Sequence, residues 1–539
     1  MSCYLDAFSH FCTVKLRFIL TTNYRIAKEL EMNHLKQIKT ALISVYHKDN
    51  LEEILHHLNK QNVKIFSTGG TLKFIEGCGI KAEPVEELTG YPSILGGRVK
   101  TLHPKIFGGL LARRNNENDI FQLEEYKIPE IDLVLVDLYP FEDTVASGAS
   151  EQEIIEKIDI GGVSLIRAAA KNYRDVMVVS SRNQYDEFID MLDSNNGCTT
   201  LEERRAFALE AFNVTSHYDT AIYSYFAEGA NPTAFKTSIQ GAKDLRYGEN
   251  PHQKGRFYGD FSSMFHQIHG KEISYNNLLD IDAAVNLIAE FDKPTVAILK
   301  HNNACGIATR SSMSQAWVDA LAGDPISAFG GVLAANGPID LETAQEMDKL
   351  FFEVLIAPAY SEESIRILAT KKNRILLLHK EKNFKAIQFR SVLNGALVQD
   401  RDSKTETADC MKPVTQLVPT DEQYDDLVFA NKVVKHSKSN SIVLAKNKQL
   451  LASGVGETSR VDALKHAIEK ANTFGFDLQG AVMASDAFFP FADSIAIAHK
   501  AGIKVVVQPG GSVRDKETID YCNQNGIAMV FTGVRHFKH

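Results

Sequence analysis

Lys300 and His301 stand side by side directly after the apolar run Thr295–Leu299, which reads as a buried strand. An imidazole accepts a proton near neutral pH, and a neighbouring ammonium stabilises negative charge growing on oxygen, so the pair suits acid–base work at a carbonyl. Adjacent polar residues of this kind are also often simply exposed, and the pair needs support from elsewhere. Several dense blocks could provide it. Asp244–Gln253 gathers Arg246, Tyr247 and His252 among turn formers, and Asp324–Gly331, Ser437–Ser441 and Gly454–Arg460 combine hydroxyls, amides and cations. Ser485–Phe491 sets aromatics near carboxylates, which fits a flat heterocycle or, equally, a Phe-rich core edge. Gln508–Ser512 is a glycine turn after a strand. The chain ends Arg535-His536-Phe537-Lys538-His539, where a basic tail would ordinarily fray.

A second set lies nearer the start. Ser67-Thr68-Gly69-Gly70-Thr71 falls between a strand and a helix, where backbone N–H groups and the positive end of a helix dipole can receive an anion; a plain tight turn uses the same residues. Gly96-Gly97-Arg98-Val99-Lys100-Thr101-Leu102-His103-Pro104 puts two cations in a loop stiffened by Pro104, as a phosphate or a polarised carbonyl requires. Asp137-Leu138-Tyr139-Pro140-Phe141 follows the strand Leu133–Val136, and open α/β sheets bind ligands at that carboxyl edge. Asp159, Ile160 and the glycine pair 161–162 open an Ala-rich helix that ends at Lys171, where a lysine ordinarily answers the helix dipole.

Alternating strands and helices must position these groups. Apolar runs at Ala41–Val45, Val63–Phe66, Leu133–Val136 and Val176–Val179, separated by helical stripes, predict a parallel sheet covered on both faces. Asp49 with Glu52, and Thr200 with Glu203, have the spacing of capping boxes. Periodicity fades over residues 228–243, which marks a boundary. Beyond it the strands Thr295–Leu299, Ile442–Ala445, Val505–Val507 and Ala528–Phe531 repeat the α/β style, with a length that suggests two subdomains.

With 539 residues, two to four folding units are expected. A net charge of −9 disfavours a general nucleic-acid binder, and no apolar run approaches the length of a membrane span. Seven scattered cysteines without a CxxC pair point to a reducing compartment, the cytoplasm, and away from a structural zinc site. Residues 1–31 differ in pattern from the rest, and Met32 offers an alternative start, so this stretch reads as a disordered arm or a mis-assigned start.

Taken in order from Ala41 to His539, the blocks GGRVKTLHP, DLYPF, IDIGG, AAAKN, LRYGENPHQ, SYNNLLD, SAFGG, SDAFFPF, QPGGS and the terminal RHFKH resemble the bifunctional purine-biosynthesis enzymes that join IMP cyclohydrolase to AICAR transformylase. The resemblance implies a methylglyoxal-synthase-like parallel-sheet domain over 32–235 and a transformylase half of cytidine-deaminase-like subdomains over 236–539. It implies a homodimer whose transformylase sites lie between subunits. The activity implied is formyl transfer from 10-formyltetrahydrofolate to AICAR, then closure of formyl-AICAR to IMP, with no catalytic metal; the H-x-E and P-C-x-x-C zinc signature is missing.

Residue by residue, the resemblance makes His301 the base and Lys300 the oxyanion stabiliser. Asn440 would hold the carboxamide, and Arg246, Tyr247, His252, Arg460, Arg535 and His539 the nucleotide. Val461, Phe488, Asp493, Gly510 and Gly511 would face the folate. In the first half, Lys48, Thr68, Gly69, Gly70, Thr71, Arg98, Lys100, Thr101, Asp137, Asp159 and Ile160 would bind the nucleotide. Lys171 would be the proton donor and acceptor, with Tyr139 beside it and Lys100 among the catalytic groups. Three positions depart from the pattern. Tyr46-His47 replaces the usual Ser-Asp before Lys48, Ala304 replaces a proline, and Glu457 replaces a glutamine. Two rival functions carry less. A regulatory protein with dead sites would lack Lys300, His301 or Lys171, and a formate- and ATP-using variant would carry a Walker-type loop, which the sequence lacks.

Overall fold

A computed structural model describes residues 35–380 and 384–539, so the reading of residues 1–31 lies outside the described residues. The chain divides into two compact units, one ending at Ser238 and the other beginning at Ile239.

The first unit is built on strands β1 (Thr40–Ser44), β2 (Lys64–Ser67), β3 (Glu83–Pro84), β4 (Leu133–Val136) and β5 (Met177–Val179), all parallel in the order β3-β2-β1-β4-β5. Unbroken apolar runs mark strands covered on both faces, as the sequence predicts. One face packs Leu51, Ile54, Leu55 and Leu58 of α1 (Leu51–Lys60); the other packs Ala168–Ala170 of α3 (Gly161–Lys171) and Ala208 and Ala211 of α4 (Leu201–Ala227). Thr200 and Glu203 form the expected capping box on α4. The one expected from Asp49 and Glu52 is not made. Asn50, with φ 59°, takes the cap position of α1, and Asp49 pairs with Arg182 at 3.0 Å. α2 (Gly69–Gly77) starts within the glycine loop.

In the second unit a single sheet of twelve strands runs through what the sequence suggests are two subdomains. Its strands are β6 (Phe265–His269), β7 (Thr295–Lys300), β8 (Asn303–Thr309), β9 (Val332–Ala335), β10 (Val354–Ala357), β11 (Ile375–His379), β12 (Lys412–Pro413), β13 (Ile442–Lys446), β14 (Gln449–Gly454), β15 (Val482–Ser485), β16 (Val505–Gln508) and β17 (Ala528–Phe531), in the order β6-β11-β10-β9-β7-β8-β14-β13-β15-β16-β17-β12. Each half has an antiparallel hairpin (β7–β8, β13–β14) followed by three mutually parallel strands. The halves join through β8 and β14, which pair at Ala308 and Gln449. One core spans both halves under α5 (Tyr275–Ile288) and α7 (Asp421–Lys435). On the opposite face each half keeps its own core, around Trp317 of α6 (Met313–Ala322) and around Leu464 of α8 (Arg460–Thr473). Two subdomains on one sheet therefore reflect a shared core on one side and divided cores on the other.

Candidate active sites

The register of the second sheet brings most of the transformylase-type residues to one edge. β7 ends where β8 begins; β8 runs antiparallel to β14, β14 to β13, and β13 to β15, with Ile442 opposite Ser485. The tight β7–β8 turn, the approach to β13, the exit of β14 and the carboxyl ends of β15 and β16 thus share that edge.

His301 and Asn302 form the β7–β8 turn in left-handed backbone (φ 49° and 66°), with both side chains exposed. Asp280 of α5 fixes the turn by accepting the Asn302 N–H at 2.7 Å. Burial pushes the Asp280 carboxyl above its ordinary range, against the Asn302 N–H and the charges of His301 and Lys300. Lys300 Nζ donates to the carbonyls of Phe329 (2.8 Å) and Gly330 (3.0 Å), which leaves one of its three N–H donors for a ligand. Gly330 suits the left-handed backbone there (φ 67°), and a Cβ would lie 3.2 Å from Nζ. Ala304 lies within the hairpin, paired with Leu299, where a proline would remove a ladder donor.

Asn303 joins this turn to the Ser437–Asn440 loop, donating to the His301 carbonyl (2.9 Å) and accepting from Lys438 N (3.0 Å). Glu290 anchors the end of α7 just before that loop, contacting Lys435 at 2.7 Å and His436 at 3.0 Å. Asn440 Nδ2 donates to the Glu457 carbonyl at 2.9 Å, while the Glu457 carboxylate turns to His466 (2.7 Å). Asp486, fully buried, takes Ser439 Oγ on one oxygen (2.6 Å) and Arg460 Nη2 on the other (2.7 Å).

The terminal segment does not fray. Ser439 N donates to the Lys538 carbonyl, His536 N to the Asp486 carbonyl, and the buried His536 ring contacts Asp402 (2.6 Å) and Glu406 (2.9 Å). Both carboxylates hold His536 toward its protonated form against the opposing effect of burial. Arg535 lies 4.4 Å from the Phe537 ring, and the carbonyl of His539 accepts from Arg390 at 3.3 Å.

Residues on the expected folate side follow the carboxyl ends of β15 and β16. Phe488 is partly exposed and its carbonyl accepts from Arg460 at 3.3 Å, whereas Phe489 is core. Gly510 and Gly511 have φ 73° and 98°, and a Cβ on Gly510 would meet the Phe531 ring at 2.4 Å. Val461 is in the first turn of α8, and Asp493 begins the helix Asp493–Lys500. Arg246, Tyr247 and His252 stand on a separate two-stranded hairpin, with the Arg246 guanidinium 5.5 Å from the Tyr247 ring. Asp280, Asn303, Asp486 and His536 are positioners that the sequence does not reveal, because their partners lie far along the chain.

In the first unit the carboxyl edge of β1, β2 and β4 gathers the other set. Thr71 Oγ1 accepts from Val45 N and donates to Val45 O; Thr68 Oγ1 meets Ser44 Oγ at 2.9 Å. Asp137 accepts the N–H groups of Tyr46 and His47, and burial raises its carboxyl despite them. The Lys48 ammonium bonds the carbonyls of Val45 and Tyr46, and burial lowers its pKa. Lys100 folds over the glycine loops: a Cβ would lie 2.7 Å from Lys100 Cε at Gly97 and 3.6 Å from its Nζ at Gly69. A Cβ on Gly161 would lie 3.3 Å from Thr101 Oγ1, which puts Thr101 at the start of α3.

Asp159 accepts from Gly162 N at 2.6 Å, and burial raises its carboxyl. Burial, then the charge of Asp159, raises the Tyr139 phenol. Arg98 pairs with Glu156 and Ile160 is exposed. Lys171 is set apart. It is the exposed last residue of α3, an eleven-residue helix, and so about 15 Å along the axis from Gly161.

Comparisons with known proteins reach both units. An MGS-like domain profile matches residues 50–164, and that of the AICARFT/IMPCHase bienzyme matches residues 169–470. The chain is 64% identical over 508 residues to the bifunctional purine biosynthesis protein PurH of Bacteroides thetaiotaomicron, covering 94% of this chain and 100% of that protein. It is 48% identical over 510 residues to PurH of Aquifex aeolicus, covering 93% and 100%. A crystal structure of ForH is 33% identical, covering 36% of this chain and 99% of its own, with a TM-score of 0.32. The chain belongs to the AICARFT/IMPCHase bienzyme family and is a bifunctional purine-biosynthesis enzyme, a formyltransferase and cyclohydrolase.

Proposed function

We propose that the second unit formylates AICAR from 10-formyltetrahydrofolate and that the first closes formyl-AICAR to IMP. The observation that carries the reading is the Lys300–His301 turn tied through Asn303 to the loop bearing Asn440. The ring amine of AICAR attacks the formyl carbon, His301 takes its proton, and Lys300 stabilises the tetrahedral oxyanion with its remaining N–H donor. Collapse breaks the bond to the folate nitrogen, which leaves with a proton. Asn440 holds the carboxamide, and Arg460, Arg535 and His539 grip the nucleotide. Phe488, Val461, Asp493 and the Gly510–Gly511 turn receive the folate.

Arg246, Tyr247 and His252, on their own hairpin, also grip the nucleotide, and the enzyme is a homodimer whose transformylase sites lie between subunits. In the first unit Thr68–Thr71, Lys48, Arg98 and Thr101 bind the nucleotide beside Asp137, Asp159 and Ile160. Lys100 and Tyr139 orient the carboxamide nitrogen toward the formyl carbonyl, and Lys171 moves the proton as water is lost. Positioned groups suffice for an intramolecular closure of this kind. The enzyme works in the cytoplasm, in keeping with its scattered cysteines; no helix among the described residues is long and apolar enough to cross a membrane.

The test is product identity. With AICAR and 10-formyltetrahydrofolate the protein yields IMP. With formyl-AICAR alone it yields IMP without folate. Formyl-AICAR accumulating without IMP, or no turnover of AICAR, contradicts the proposal.

A further inference from the structure

Two side chains of the first unit that the proposed chemistry does not use, Tyr46 and Lys157, stand beside one that it does, Tyr139. Tyr46 stands where the family pattern usually has serine, two residues past the end of β1. Its ring is 42% exposed and meets the equally exposed ring of Tyr139 (41%) edge-on, with centroids 5.6 Å apart and planes at 70°. The Lys157 ammonium lies 4.9 Å from the Tyr46 centroid, 5.9 Å from that of Tyr139 and 3.5 Å from the Tyr46 hydroxyl. Bonds at its backbone hold Tyr46: Asp137 accepts the Tyr46 N–H, and Thr71 brackets Val45, the preceding residue. The two rings and the ammonium therefore stand together just past the carboxyl ends of β1 and β4.

We propose that Tyr46, with Tyr139 and Lys157, forms an aromatic wall that positions the heterocycle of the nucleotide during cyclisation, Tyr46 being the specificity-determining member. This rests on the cyclohydrolase reading above. A flat π-surface gains contact as the substrate goes from one ring to two, so the wall favours the closing, product-like species over the open formamide. The ammonium across the ring faces keeps them oriented and leaves the hydroxyl of Tyr46 bonded. Serine at this position offers no such surface.

The experiment compares the full-length protein with its Tyr46→Ser and Tyr46→Phe variants, measuring IMP affinity by calorimetry together with kcat and KM for cyclisation of formyl-AICAR. The wall predicts that Tyr46→Ser weakens IMP binding by about tenfold and lowers kcat for cyclisation. Tyr46→Phe, which keeps the ring, recovers most of both. Formyl transfer to AICAR, measured on the same samples, stays at the wild-type rate and reports intact folding. Wild-type IMP affinity in Tyr46→Ser overturns the wall, as does a loss that phenylalanine fails to restore. Failure of the unaltered protein to cyclise formyl-AICAR would instead overturn the cyclohydrolase reading beneath it.

Discussion

In the His301→Ala variant, formyl transfer to AICAR falls by about 10³-fold while cyclisation of supplied formyl-AICAR continues at the wild-type rate. General-base catalysis by a positioned imidazole contributes roughly 10²–10⁴ in rate, and the ring amine of AICAR is a poor nucleophile that depends on losing its proton as it attacks. The turn that carries His301 does not depend on the imidazole: Asp280 bonds the backbone of Asn302, and Asn303 bonds the backbone carbonyl of residue 301. Alanine in left-handed backbone costs about what the exposed histidine already does, so the fold survives and the loss is chemical. Parallel assays of the two half-reactions on one preparation check this. Loss of both in a folded protein would contradict separate sites.

Lys171→Ala produces the reverse pattern, with cyclisation falling by about 10²-fold or more and formyl transfer unchanged. Magnitude separates this from the bland alternative. A lysine closing a helix interacts with the carboxyl-terminal end of the dipole for at most about 1 kcal/mol, which would appear as a small drop in stability and no change in rate. Since Lys171 ends α3 a helix length from Gly161, the comparison with Lys100→Met is decisive. If Lys171→Ala cyclises normally and Lys100→Met does not, the proton step belongs to the strand edge, where Lys100 faces the Gly69 loop.

Local chemistry explains what was legible in the sequence. β4 and β17 match the apolar runs Leu133–Val136 and Ala528–Phe531, because short unbroken apolar runs between turn formers have few other places to go. The Thr200 box holds because a threonine and a glutamate three residues apart satisfy each other's backbone donors and nothing remote among the described residues competes for them. The Asp49 box has the same spacing and fails. A left-handed Asn50 shifts the helix start by one residue, and Arg182, 133 residues away, draws the aspartate off.

Sites divide along the same line. The types of Lys300, His301 and Asn440 are visible in the chain, but their proximity arises from the register of a twelve-stranded sheet and from Asn303, whose two bonds span 2 and 135 residues. The buried Asp486, shared between Ser439 and Arg460, reads in the sequence as part of an aromatic block. The terminal Arg535–His539 has the composition of a loose tail, and only the remote carboxylates of Asp402 and Glu406 give His536 a reason to be buried. Tyr46 departs from the family pattern in the sequence, and the structure gives its ring a place beside Tyr139.

A crystal structure of the enzyme with AICAR and an unreactive folate analogue bound tests the heart of this account. The expected complex has the ligand's ring amine within about 3 Å of the His301 imidazole and its carboxamide on Asn440, with the Lys300 ammonium facing the carbon that would carry the formyl group. A nucleotide whose amine faces some other titratable side chain, with His301 turned to solvent, would contradict it.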